Sequence, residues 1–118
     1  MEWAFALLIY ANASRATPLI EDPWMSAVAT NRAEYLCLVE FSHDNWTRWA
    51  GMVPGASRLG ENLARNYERP ADAHSALMDS PTHRANIENA SYRRIGIGHA
   101  ECAEGSVSRS VSVELFAD

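Results

Sequence analysis

Two histidines and one glutamate in this chain are each held by a local device that aims a polar side chain. His83 lies in the first turn of a helix opened by Ser80-Pro81. There the serine oxygen can accept from free amides, and proline at the first helical position forfeits no hydrogen bond. Glu61 follows Gly60, which is read as a turn where a side chain would clash, and stands between Leu59 and Leu63, so its carboxylate is expected off the open surface. His43 closes a long helical pattern through Phe41-Ser42-His43, an aromatic anchor followed by a projecting imidazole. Neutral imidazoles and a carboxylate are donors for a borderline ion such as zinc. They serve equally as members of a buried hydrogen-bonded network that ties loops to helices. Spacing alone does not bring the three together.

Other chemistry is poorly represented. There is no Gly-x-Ser-x-Gly elbow, and Ser42 beside His43 is adjacent in sequence, which rarely gives an attack geometry. Cys37 and Cys102 lie in no thiol-protease or metal-type pattern. They are expected as free, buried thiols, with a single bridge as the alternative.

The 118 residues and 13.1 kDa suit one domain able to bury a core without a metal or disulfide staple. A net charge of −5 with scattered arginines argues against an electrostatic grip on nucleic acid or an anionic membrane surface. The apolar run over residues 3–10 is too short to span a bilayer. Ala11-Asn12-Ala13 has the look of a signal-peptidase site, but the start is acidic at Glu2, so no signal peptide is read and Met1 is taken as the start of a trimmed mature domain.

The elements that must position these side chains follow from periodicity. Residues 3–14 are apolar almost all round, which predicts a helix with little exposed surface, ended by Pro18. Asp22-Pro23 starts a second helix to about Glu40, whose buried stripe is Met25, Val28, Ala29, Ala33 and Leu36, with Arg32 and Glu34 outside it. Asp44 is expected to cap a short third helix through Trp49, followed by a surface loop of roughly ten residues made by Gly51, Pro54, Gly55 and Gly60. After Asn62 a brief extended piece leads to a helix from Pro70 to about Asp79, with Ala73, Ala76 and Leu77 inward and His74 toward solvent. Ile95, Ile97 and His99 alternate with small residues. Val107, Val111, Val113 and Leu115 repeat the pattern after Glu104-Gly105, which predicts an antiparallel hairpin whose glycine-lined second face admits another layer.

The motifs together resemble the CAP superfamily, the fold of cysteine-rich secretory and pathogenesis-related proteins, and most closely its bacterial single-domain branch. The matching residues are Asn12, Arg15, Pro18-Leu19, Phe41-Ser42-His43, Gly60-Glu61-Asn62, Ser80-Pro81, His83-Arg84-Ala85-Asn86-Ile87 and Ile95-Gly96-Ile97-Gly98. The resemblance implies an α+β fold, a three-layer α-β-α sandwich with a small antiparallel sheet flanked by helices. It implies a central cleft in which His43, His83 and Glu61 meet, with Ser80 where many eukaryotic members carry a second glutamate. It also implies a secreted or cell-surface protein. Leu77 replaces the family's tryptophan ahead of the Ser80-Pro81 segment. Asn62, Ser80, Arg84 and Asn86 are read as structural members of the motif, Arg84 on the outer face and Asn86 tying backbone across a helix end.

On this reading the chain is a monomeric binding module whose cleft takes a small, lipid-like ligand or a divalent metal such as zinc, with no catalytic reaction. One alternative is a metal-dependent hydrolase using Glu61 as general base with His43 and His83. Another is an interaction module in which the loop over residues 51–58 recruits a protein partner.

Overall fold

The computed structural model describes residues 2–39 and 41–118; Glu40, where the second helix is expected to end, and Met1 lie outside the described residues. In chain order the elements are α1 (Trp3–Ala13), β1 (Ile20–Glu21), α2 (Pro23–Leu38), α3 (Trp46–Ala50), β2 (Leu59–Arg65), α4 (Pro70–Asp79), α5 (Pro81–Glu88), β3 (Arg94–Glu104) and β4 (Val107–Ala117). The sheet runs β1-β3-β4-β2. Only the two-residue β1 is parallel to its neighbour; β3, β4 and β2 are antiparallel.

Helix α2 forms because Asp22 caps it, accepting from the amides of Trp24 and Met25, and because Pro23 sits where its missing N–H costs nothing. Its stripe of Met25, Val28, Ala29, Ala33 and Leu36 packs with Leu63, Val111, Val113 and Leu115 on one face of the sheet. The approach is close enough that a Cβ on Gly96 would run into the Met25 backbone, and one on Gly98 into the backbone of Ala29 and Thr30. On the other face α1, α4 and α5 supply Leu7, Ala11, Ala73, Leu77 and Ile87 against Ile95, Ile97 and Phe116. Helices thus cover both faces of the sheet, as the expected sandwich requires. Arg15 draws the layers together at one end, donating to the carbonyls of Ile87, Asn89 and Tyr92.

Four local expectations change. Helix α1 is not enclosed: Leu7 and Ala11 are buried while Phe5 is 66% exposed, because only one side of the helix meets the sheet. Gly60-Glu61-Asn62 is no turn but the interior of β2, opposite Phe116, Leu115 and Glu114. Gly60 is needed there because a Cβ would come within 2.6 Å of the Tyr92 hydroxyl. Helix α3 begins after Asn45, in the left-handed region at φ 61°, so Asp44 is not its cap. His74 is half-buried beside Tyr10, with its Nδ1 buried and unpartnered among the described residues.

The cysteines correct a fifth expectation. Cys37 and Cys102 are joined in a disulfide, with Cα atoms 6.2 Å apart. The last turn of α2 lies over the far half of β3, and that packing, invisible in the sequence spacing, supplies the approach. The bridge closes 65 residues of chain and holds the root of the segment that carries His43. Alkylation under non-reducing, denaturing conditions should add no label, and two after reduction. Replacing both cysteines by alanine should cost on the order of 4 kcal/mol in chemical denaturation, the value expected for a loop of that length.

Candidate functional site

The site is built outward from a buried ion pair. Arg32, on α2, has no solvent exposure, and its guanidinium meets the Glu61 carboxylate through two contacts, Nε to Oε2 and Nη2 to Oε1, the latter at 2.9 Å. Glu61 points to the α2 side because it alternates with Asn62 along β2, so Leu63 and Glu61 share one face. The indole rings of Trp46 and Trp49 lie 5.8 and 5.7 Å from the guanidinium carbon, giving the buried Nη1, which has no hydrogen-bond partner among the described residues, an aromatic environment. Arg32 Nη2 also donates to the Ser42 carbonyl at 3.3 Å, fixing the backbone next to His43.

His43 completes this arm. Its Nδ1 lies 2.8 Å from Glu61 Oε1, and a carboxylate already paired with arginine can only accept, so Nδ1 carries the proton. Nε2 has no hydrogen-bond partner among the described residues, on a side chain that is 61% exposed.

His83 reaches the cleft from the opposite layer. Ser80 precedes α5 but its hydroxyl does not cap the helix; it lies 2.8 Å from His83 Nδ1 instead, so the expected cap is a ring-orienting contact. Burial holds the His83 imidazole below its ordinary basicity, and the nearby His43 lowers it further. Its ring is therefore neutral at pH 7, with Nε2 left over, as in His43.

Beneath His83 a second polar chain crosses the sheet. Asn62 Nδ2 donates to the His83 carbonyl and to Glu114 Oε1, both at 3.1 Å, and Asn62 Oδ1 accepts from Asn86 Nδ2 at 2.9 Å. Asn86 Nδ2 also reaches the Glu61 carbonyl at 3.3 Å. Glu114 is buried with Oε2 unpartnered among the described residues, and burial pushes its carboxyl up to about 7 against the opposing effect of Asn62.

Of the residues picked out by sequence, the structure joins His43 to Glu61 and brings His83 near enough to His43 to feel its charge, but it does not gather the three around one point. Among the described residues no three His, Cys, Asp or Glu side chains form a group able to hold a metal. Arg84 lies on the outer face, paired with Glu88 at 3.1 Å. Arg32 and Glu114 were not anticipated as site residues. Arg32 nonetheless lies four residues from both Val28 and Leu36, in phase with the buried stripe from which it was excluded. Beside the His83 imidazole a groove of about 270 Å³ runs past Phe41, Leu63, Arg65, Leu77 and Ser80.

Comparison with known proteins agrees with this architecture. The model of the cysteine-rich secretory protein family, CAP, matches residues 10–116, and the chain belongs to that family. An uncharacterized Bacillus subtilis protein, YkwD, is 40% identical over 42 residues, 36% of this chain and 16% of YkwD. An extracellular SCP-domain protein of Bacillus anthracis superimposes with a TM-score of 0.81 at 21% identity, over 98% of this chain and 40% of that one. Venom allergen-like protein 4 of Schistosoma mansoni gives 0.75 at 14% identity, over 99% and 88%. The chain thus spans a minor part of both Bacillus proteins.

The buried carboxyl has a pH signature. Its folded value of about 7 lies above its ordinary 4.5, so the folded state holds the proton longer than the unfolded one. Stability should fall as pH rises from about 4.5 through 7 and level off above. Glu114→Gln keeps the shape and cannot ionise, so it should match wild type in urea denaturation near pH 4.5 and exceed it by on the order of 3 kcal/mol at pH 8. Equal pH profiles would show that Glu114 does not titrate there.

Proposed function

Taking the chain as a CAP-family member, we propose that it is a secreted, non-catalytic binding module that holds a divalent ion on the Nε2 atoms of His43 and His83 and a small ligand in the adjoining groove. The observation that carries this reading is that both imidazoles spend Nδ1 on a fixed internal partner, Glu61 or Ser80, and keep Nε2 for something else. A carboxylate behind a ligating histidine fixes its tautomer and raises its basicity, which is the part assigned to Glu61. Two imidazole nitrogens suit zinc, with the remaining positions left to water or ligand. A bound zinc would supply Lewis acidity there; the chain's own contribution is to orient the two imidazole rings.

Secretion accords with the Cys37–Cys102 bridge, which persists in oxidising compartments, and with the extracellular description of the Bacillus anthracis relative. Among the described residues no helix is long and apolar enough to cross a membrane.

The hydrolase reading is weaker because a general base must reach its water, and Glu61 is buried with most of its acceptor sites taken by Arg32 and His43. The loop reading is weaker too. Val53 is buried, Ala56 packs against the core, and Ser57 and Arg58 are tied down by Asp118.

Calorimetric zinc titration at pH 7.5 is the test. His43→Ala and His83→Ala should each weaken binding at least tenfold, and Glu61→Gln by roughly 10–100-fold. Affinity should drop on acidification, below the ordinary imidazole range for His83, because burial holds that ring's proton affinity down and a protonated ring cannot coordinate. Equal affinity in wild type and both alanine variants would remove the pair as the site. Zinc-dependent cleavage of a peptide and ester library, abolished by Glu61→Gln, would replace the binding reading with the hydrolase.

A further inference from the structure

Strand β2 lies at the edge of the sheet, with β4 on one side and, among the described residues, no strand on the other. In such a strand the N–H and C=O of one residue point to the same side and those of the next residue to the opposite side. Two contacts fix which residues face outward. The Asn66 amide donates to the Ser110 carbonyl, toward β4, at 2.9 Å. The Glu61 carbonyl is turned the other way, to Asn86 Nδ2. Glu61, Leu63 and Arg65 therefore share the outward register, while Gly60, Asn62 and Ala64 bond to β4.

The two halves of this edge are treated differently. Near Glu61 it is closed by the Asn86 amide from α5. From Leu63 to Arg65 it opens into the groove of about 270 Å³ beside His83. Leu63 and Arg65 present two donor–acceptor pairs there, about 7 Å apart, the spacing of alternate residues in a strand. An open strand edge is a template for another extended chain.

The groove also has a charge preference. Its lining carries Arg65, stacked over Phe41 at 4.6 Å, and, among the described residues, no aspartate or glutamate, although the chain as a whole bears −5. The volume falls just below the ~300–1,000 Å³ typical of small-molecule cavities, which suits a few residues of extended chain.

We infer that the groove ligand is an extended peptide bearing a carboxylate, which adds to the Leu63–Arg65 edge of β2 as a further strand and sets its carboxylate against Arg65. This rests on the groove being a ligand site but not on metal at the imidazoles. Main-chain bonds to Leu63 and Arg65 supply affinity, and alternate side chains facing Phe41 and Leu77 supply selectivity.

The probe is acetyl-Val-Thr-Val-Thr-Glu, titrated into the isotope-labelled full chain in EDTA and followed by amide NMR. The amides of Leu63 and Arg65 should shift saturably and gain protection from exchange. The same peptide N-methylated at alternate residues, with side chains and charge unchanged, should bind at least tenfold more weakly. A version with glutamine and a terminal amide should also bind more weakly. Arg65→Pro removes an outward N–H without touching the β4 ladder, so it should lose at least tenfold relative to Arg65→Ala. Absence of saturable binding at millimolar peptide, or equal binding of the N-methylated peptide, would overturn the proposal. Sodium decanoate shifting the same amides as tightly would assign the groove to a lipid carboxylate. Shifts that grow with protein concentration alone would assign the edge to a second copy; either result would overturn the proposal. Since EDTA removes metal, intact zinc binding without peptide binding sinks this inference alone, and peptide binding without zinc binding sinks only the metal reading.

Discussion

A guanidinium and a carboxylate buried together, Arg32 and Glu61, set the arrangement of the cleft. Neither could be buried alone, since an unpaired charge in the interior costs several kcal/mol. The pair brings helix α2 onto edge strand β2. One oxygen of the pair also fixes the proton of His43, and Arg32 Nη2, already paired with that oxygen, also holds the Ser42 carbonyl beside it. Two tryptophans close over the cation, which gives the short helix α3 its buried face. One ion pair thus positions a helix, a strand and the segment that carries an imidazole.

The opposite wall follows a different rule. His83 is placed by uncharged partners, Ser80 on the ring and Asn62 on the carbonyl, and Asn62 in turn rests on a carboxyl that is too deeply buried to ionise readily. The cleft is therefore charged and fixed on its α2 side, neutral and hydrogen-bonded on its α5 side. Both sides spend their polar atoms on holding side chains still, an arrangement that suits recognition better than proton transfer.

Much of this was legible in sequence where local pattern decides structure. The Asp22-Pro23 start, the stripe of α2, the Ser80-Pro81 start of α5 and the alternation of the final hairpin all carried through. What failed depended on partners far away along the chain. Gly60 reads locally as a turn residue, yet its role is set by the Tyr92 hydroxyl. Ser80 reads as a cap, but an imidazole three residues on competes for its hydroxyl. Cys37 and Cys102 meet only because α2 lies along β3. Arg32 was excluded from the stripe by its charge, although its phase placed it inside. A charged residue in phase with a buried stripe signals a buried counter-charge, and the leucine-flanked Glu61 was the available one.

If Arg32–Glu61 is the constraint that holds the cleft, the two residues must be strongly coupled, and a double-mutant cycle on unfolding free energy measures that coupling directly. Arg32→Met and Glu61→Gln should each destabilise by about 3–5 kcal/mol, because each leaves a buried charge behind. The double variant should lose clearly less than their sum, by at least about 2 kcal/mol. Additive losses would mean that the two side chains are held independently, and the ion pair would then not be what organises the site.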